Sequence, residues 1–239
     1  MSVTAARGFR ASGVAAGLKA SGARDVAIVV NDGPLQVAAG VFTGNRFKAA
    51  PVVWSQQVLR ARTLRGVVLN SGGANACTGA GGFQDTHRTA ELAASLLCSA
   101  GLETGASEIA VCSTGLIGER LPMDRLEAGV VHAFGRLSDD GGGDAATAIM
   151  TTDTVPKLAV HNSDEYRIGG MAKGAGMLAP ALATMLVVVT TDALLTEAQA
   201  EESLRHAAGH SFDRIDSDGC MSTNDTVLLL ASGASGVHP

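Results

Sequence analysis

Hydrophobic positions along this chain come mostly in short runs. Residues 26–30, 37–42, 66–70, 108–112, 157–160, 185–191 and 226–230 are β-branched or aliphatic stretches bounded by Gly, Asn, Asp or Ser. They predict strands, several of them buried on both faces. Three segments carry a helical period instead. Residues 85–100 place Ala90, Ala93, Leu96 and Leu97 on one face, and residues 122–137 do the same with Leu126, Val130, Phe134 and Leu137, with Pro122 in the first turn. Residues 197–208 follow Thr196, with Gln199 three positions on, the pattern of a capping box. Strands and helices are mixed throughout, so the pattern predicts an α/β (α+β) fold. The run Ser138-Asp-Asp-Gly-Gly-Gly-Asp144 reads as a surface loop, not a domain boundary, and no repeat of solenoid period is present. The run 226–230 resembles a central strand with only nine residues after it, so we expect part of the fold to lie beyond residue 239.

Composition changes this picture in one respect. The 239 residues include 40 Ala and 30 Gly but only 3% aromatics, so the core must form by close approach of backbones and small side chains. With 46% hydrophobic and 17% charged residues the chain is not disordered, and a net charge of −5 argues against a nucleic-acid footprint. The four cysteines form no CxxC, and no His stands at ligand spacing from any of them, which excludes the common zinc patterns; no metal site is expected. Their use fits buried thiols in a reducing cytoplasm. Arg7, Arg10, Lys19 and Arg24 precede the first acid, Asp25, but Gly8, Gly13, Gly17 and Gly22 break any amphipathic transit helix. The uncharged stretch 174–191 carries Gly174, Gly176 and Pro180, so it reads as a turn and a buried strand rather than a membrane span.

Four segments could carry chemistry. Gly174-Ala-Gly-Met-Leu-Ala179 has the form of a dinucleotide fingerprint, but the Pro, Thr and Val that follow are strand residues where that motif needs a helix. Asn70-Ser-Gly-Gly-Ala-Asn75 follows a strand and reads on composition as a tight turn. Cys112-Ser-Thr-Gly-Leu-Ile-Gly118 reads as a polar turn after a strand, where a Thr hydroxyl beside a Gly N–H could make an oxyanion hole. In Lys173-Gly-Ala-Gly-Met-Leu-Ala-Pro-Ala-Leu-Ala-Thr184, the Thr opens a very hydrophobic run. It would be a nucleophile if cleavage at Ala183–Thr184 made its own α-amine available as the base.

The segment from Gly169 to Leu186 resembles the self-cleavage signature of the ornithine acetyltransferase family, bifunctional glutamate N-acetyltransferases of arginine biosynthesis. Gly8-Phe-Arg-Ala-Ser-Gly-Val-Ala-Ala-Gly-Leu-Lys19, Leu69-Asn-Ser-Gly-Gly-Ala-Asn-Ala-Cys-Thr-Gly79, Cys112–Gly118, Met150-Thr-Thr-Asp153 and Ser222-Thr-Asn-Asp-Thr226 are similar to further blocks of that family, in the same order. The resemblance implies two stacked sheets between helix layers, like the N-terminal-nucleophile hydrolases. It implies autoproteolysis between Ala183 and Thr184, giving an α-chain-like segment 1–183 and a β-chain start at 184–239 within one catalytic domain.

Thr184 would then carry an acetyl group from N2-acetylornithine to glutamate, without a cofactor. Thr114 (hydroxyl) and Gly115 (N–H) match the oxyanion hole, and Thr151, Lys173 and Thr184 match substrate-binding positions. The family's habit implies a heterotetramer of α and β chains in the cytoplasm, with acetyl-CoA left open as a further donor and no nucleic acid or membrane as partner. Family members continue well beyond the position of Pro239. That leaves two alternatives: a self-cleaving amidase or aminopeptidase of similar architecture, or an inactive truncated member. It also leads us to expect an exposed apolar sheet edge, poor solubility and no transfer from these 239 residues alone.

Overall fold

The computed structural model describes residues 2–177 and 185–239. Among the described residues, nine strands form two sheets. The first contains β1 (Phe9–Val14), β2 (Val26–Asn31), β4 (Gly66–Gly73) and β5 (Ile109–Leu116), in the order β1-β2-β4-β5. The second contains β3 (Val37–Phe42), β6 (Lys157–Asn162), β7 (Arg167–Lys173), β8 (Leu186–Thr191) and β9 (Thr226–Ala231), in the order β3-β9-β8-β7-β6. Each sheet holds one parallel pair, β4–β5 in the first and β8–β9 in the second, and all other pairs are antiparallel. Five α-helices are present among the described residues: α1 (Ala50–Val58), α2 (Gly79–Ser99), α3 (Met123–Phe134), α4 (Gly142–Ala148) and α5 (Glu197–His210).

Side-chain alternation in the central strands divides the core. Leu186 and Val188 of β8, with Leu228 and Leu230 of β9, join one large cluster that also holds β2, β4 and β5 and the apolar faces of α2 and α3. The intervening Val187, Val227 and Leu229 face the other way, onto Ala200 and Leu204 of α5. Period 2 in the strands and 3.6 in the helices thus builds helices against both sheets around one shared core. The helix-layered, two-sheet α/β class expected from the sequence is the class observed.

Every strand and helix expected is present, and most bounds agree within two residues. The larger differences have local causes. β4 and β5 run on through Asn70–Gly73 and Ser113–Leu116, segments read as turns, because the two strands pair with each other there across a register shift at Gly72 and Gly73. β6 is exposed along its length rather than buried, and it carries Lys157, His161 and Asn162 beside Leu158, so this outer edge is mixed rather than apolar. The Gly-rich run 138–144 is irregular only as far as Gly141, the N-cap of α4, which begins at Gly142. Pro122 is the N-cap of α3 rather than its first turn. The capping box forms as expected: Gln199 N–H donates to Thr196 Oγ1 at 3.3 Å and Thr196 N–H to Gln199 Oε1 at 2.9 Å. Among the described residues no helix is long and apolar enough to cross a membrane.

Because β9 is a fully buried interior strand of its sheet and β6 its exposed rim, the two should respond very differently to truncation. Leu228→Ala is expected to cost about 2–5 kcal/mol, whereas Leu158→Ala should stay within about 0.5 kcal/mol. Urea unfolding of both variants checks this, and equal losses would mean that β9 is not the packing centre.

Candidate functional site

The C-terminal ends of β4 and β5 and the N-terminal ends of β8 and β9 meet at one open cavity of about 400 Å³. Thr114 and Gly115 of β5 line it, as do Thr151, Lys173 at the end of β7, and Ser222, Thr223 and Asn224 just before β9. Four candidates chosen from the sequence (Thr114, Gly115, Thr151 and Lys173) are therefore neighbours on one wall system, though they come from segments up to 59 positions apart in the chain. Ala183 and Thr184 lie outside the described residues. The described chain resumes at Met185, which is buried. A larger but shallower hollow runs along the charged face of α5, lined by Glu197, Glu201 and Arg205. None of the candidate residues faces it.

The oxyanion candidates owe their placement to a tight backbone crossing. Gly115 has φ +128°, and a Cβ there would lie 2.6 Å from the Gly72 carbonyl carbon. Only glycine fits both the left-handed backbone and the contact. Thr114 is 3% exposed, held between Ser113 and this crossing. The Ser113 hydroxyl donates to Asn70 Oδ1 at 2.6 Å, and the Asn224 amide donates to the carbonyls of Ala74 (2.6 Å) and Ser113 (2.8 Å). Beyond β5, Arg120 clamps the buried Asp85 of α2 through two bonds of 2.8 and 2.6 Å, which anchors the far end of the loop that starts at Leu116.

The electrostatic side of the cavity is built on Lys173 and Asp153. Lys173 is 2% exposed. Burial pushes its ammonium below the usual lysine range, with Lys157 and Lys19 adding to the effect and Asp153 and Asp225 opposing it. Asp153 accepts the Gly174 N–H at 2.8 Å, the Thr151 N–H at 3.3 Å and the Lys157 ammonium. Burial alone would raise its carboxyl, but Lys157, Gly174 and Thr151 together hold it below the usual range. One carboxylate thus ties Thr151 to the residue after Lys173.

On the opposite side, Asp225 accepts the Met185 N–H at 2.9 Å, and burial pushes its carboxyl up to about 6. Asn224, Asp225 and Asp153 stood inside recognised sequence blocks but were not singled out. Their spacing gave no sign of what they would touch: Asn224 reaches the other sheet, Asp225 the start of β8, and Asp153 the end of β7.

Gly174–Met177, the described part of the dinucleotide-like motif, forms no helix. Among the described residues no three His, Cys, Asp or Glu come together to hold a metal ion. Of the thiols, only Cys112 is buried, which pushes it up to about 12; Cys77, Cys98 and Cys220 are exposed, against the expectation of buried thiols.

Comparison with known proteins bears on this geometry. The chain is 62% identical over 99% of its length to the arginine biosynthesis bifunctional protein ArgJ of Mycobacterium leprae, and 64% identical over its full length to that of Streptomyces coelicolor. It spans about 60% of the length of these curated relatives. Among solved structures, the ornithine acetyltransferase of Mycobacterium tuberculosis, in complex with ornithine, superposes with a TM-score of 0.74 at 61% identity, covering 77% of this chain and 96% of that one.

An L-aminopeptidase D-Ala-esterase/amidase from Ochrobactrum anthropi, described as a variant of the Ntn hydrolase fold, shares the fold at 15% identity and TM-score 0.52, covering 97% of this chain and 74% of that one. The profile of the ArgJ family runs from residue 10 to residue 239, through every strand, helix and cavity wall described above, and the chain belongs to that family.

Proposed function

We propose that this chain is the N-terminal portion of an acetyltransferase that moves an acetyl group from N2-acetylornithine to glutamate through an acetyl-threonine at position 184. The observation that carries the reading is the cavity itself. It gathers Thr114 and Gly115, the candidates for an oxyanion pair, with a buried cation (Lys173) and a hydroxyl (Thr151), near the point where the described chain resumes at Met185. Lys173 is a compact charge suited to a substrate carboxylate, which both an acetylated amino acid and glutamate present. Thr114 and Gly115 offer two donors that can converge on one oxygen, as stabilisation of a tetrahedral intermediate requires.

Processing at Ala183–Thr184 follows from the same reading. Thr184 Oγ attacks the Ala183 carbonyl carbon, the peptide C–N bond breaks, and the resulting ester is opened by water. That leaves residues 1–183 and a second chain beginning at Thr184, both within one catalytic domain. Coverage of the Mycobacterium tuberculosis structure supports this: that solved chain is matched almost whole, yet spans 77% of the present 239 residues, or about 184 positions. In the reaction, the Thr184 α-amine takes the Oγ proton as the Oγ–acetyl bond forms, and ornithine leaves with that proton. Glutamate's amine then takes the acetyl group and regenerates the hydroxyl. Assembly of α and β chains as a heterotetramer, acetyl-CoA as an additional donor and a cytoplasmic location belong to the same proposal.

The test supplies N2-acetylornithine and glutamate to this chain alone and to the chain extended with the C-terminal portion of the Streptomyces coelicolor relative. Transfer is expected in the extended form. Release of free acetate in place of acetylglutamate would favour the amidase alternative. Thr184→Ala should leave one uncleaved band on a denaturing gel, and two bands would end the self-cleavage reading. Thr184→Ser should cut slowly.

In the extended enzyme Thr114→Ala should lower kcat by about 10²–10³ with a smaller change in KM, the effect of losing one oxyanion donor. A loss confined to KM would move Thr114 to ground-state binding. Initial rates should follow ping-pong kinetics, because the acetyl group rests on the enzyme between substrates.

A further inference from the structure

Asp225 is fully buried immediately before β9, and only one of its carboxylate oxygens is satisfied. Oδ1 accepts the Met185 N–H at 2.9 Å, and the Met185 carbonyl accepts the Thr226 N–H at 3.0 Å. Oδ2 has no hydrogen-bond partner among the described residues. Thr43 and Asn224 direct their side-chain donors elsewhere, and the nearby Ser222 hydroxyl forms no hydrogen bond with Oδ2. Thr43 Oγ1 donates to the Ser222 carbonyl at 2.7 Å, and Thr43 N–H donates to the Asp225 main-chain carbonyl at 2.9 Å. Ser222 Oγ accepts the Asn224 N–H at 3.1 Å, and the Asn224 amide serves the Ala74 and Ser113 carbonyls. The Thr43 and Ser222 hydroxyls are near enough to temper the charge, yet neither satisfies Oδ2.

Lys173 of β7 is the charged group that faces Asp225, with Asp153, Lys157 and Lys19 grouped around Lys173. A clamp on Met185 needs a single acceptor, which an asparagine would supply without burying a charge. A carboxylate with one empty oxygen, in a place that penalises it, points to a donor that arrives later.

Covalent geometry says where that donor can come from. The Met185 nitrogen is bonded to the carbonyl carbon of residue 184, and the nitrogen of residue 184 lies at most about 3.6 Å from it. In the uncut chain that atom is an amide with one hydrogen. After cleavage it is a primary amine, and when protonated it has three donors. We propose that Asp225 is a positioning residue for the N-terminal nucleophile: Oδ1 fixes the Met185 N–H, and Oδ2 receives the α-ammonium that cleavage creates on Thr184. This rests on the reading of Thr184 as nucleophile. Asp225 makes and breaks no covalent bond. It orients the amine toward Oγ and stabilises the ammonium formed when the amine takes the Oγ proton.

The test uses the sign of a stability change, which a merely structural role would not reverse. In the uncleaved Thr184→Ala protein Oδ2 stays empty, so adding Asp225→Asn should raise the Tm at pH 7.5 by removing an unpaired buried charge. The folded carboxyl there titrates at about 6, above its unfolded value of about 3.9. Uncleaved protein with Asp225 therefore loses stability as pH rises through that window, and the Tm gain should vanish by pH 4.

In the processed, extended enzyme the ammonium fills Oδ2, so Asp225→Asn should lower the Tm at pH 7.5. It should also move the acid limb of kcat/KM to lower pH, because an amine without its anionic neighbour gives up its proton more readily. The same direction of Tm change in both backgrounds, together with an unmoved acid limb, would overturn the proposal and leave Thr184 as nucleophile. If Asp225→Asn blocks processing, carboxyl-carbon NMR titration of the unsubstituted Asp225 decides. Its value should be lower in the processed chain than in Thr184→Ala, and equal values overturn the proposal. An extended wild-type chain that stays whole ends the reading of Thr184, and this proposal with it.

Discussion

The cavity depends on the Asn224 side chain. Its amide nitrogen donates to the Ala74 carbonyl beyond β4 and to the Ser113 carbonyl within β5, while its own backbone leads directly into β9. One buried amide therefore joins the two sheets where their parallel pairs end. Both bonds are buried, so losing the amide costs the desolvation of the groups left behind as well as the bonds themselves. The amide thereby helps to set the separation between Thr114 and Gly115 on one sheet and the start of β8 and β9 on the other. In the proposed reaction, preorganised donors depend on that separation.

Charge is arranged around this bridge with opposite logic on its two sides. At the Lys173 side, Asp153 is heavily served: two backbone amides and one ammonium hold it ionised, and its field keeps a buried lysine more cationic than burial alone would allow. At the Asp225 side the carboxylate is under-served, and its ionisation moves up toward neutrality. Residues of the same chemistry thus differ because one has both carboxylate oxygens engaged and the other only one. On the proposed reading, the well-served acid suits a constant binding wall, and the under-served acid suits the place where cleavage would create a new charge.

Legibility of the sequence followed the type of constraint. Strands β2, β8 and β9 were readable because burial on both faces demands continuous apolar runs, and α5 because its capping box is local. Strands β1 and β7 were missed. Their sequences, Phe-Arg-Ala-Ser-Gly-Val and Arg-Ile-Gly-Gly-Met-Ala-Lys, look like loops. In β7 the reason for a glycine is a distant close approach: a Cβ on Gly169 would stand 2.1 Å from the Ser2 carbonyl oxygen. Helix α4 was hidden by the glycines at its start, and α1 by its Val and Trp content. In each case the deciding contact is with a residue far away in the chain, which no local window contains.

The individual motifs behaved in the same way, yet their order along the chain was informative. On composition alone, 70–75 and 112–118 were turns and Thr184 an ordinary strand residue. The cavity shows what the blocks share. Ala74 comes from the second block, Thr114 to Ile117 from the third, Thr151 from the fourth, Lys173 and Met177 from the fifth, and Ser222 to Asn224 from the last. Each therefore contributes part of one wall, and only the opening block, 8–19, does not. That block acts one layer back: buried Asp25 accepts the N–H groups of Leu18 and Lys19, and the Leu18 carbonyl packs where a Cβ on Gly72 would stand, 2.9 Å away. It thereby fixes the backbone that Gly115 crosses. Recognition of ordered blocks succeeded where single motifs failed because a pocket assembled from five separated segments constrains all five together. Composition can weigh each segment only by itself.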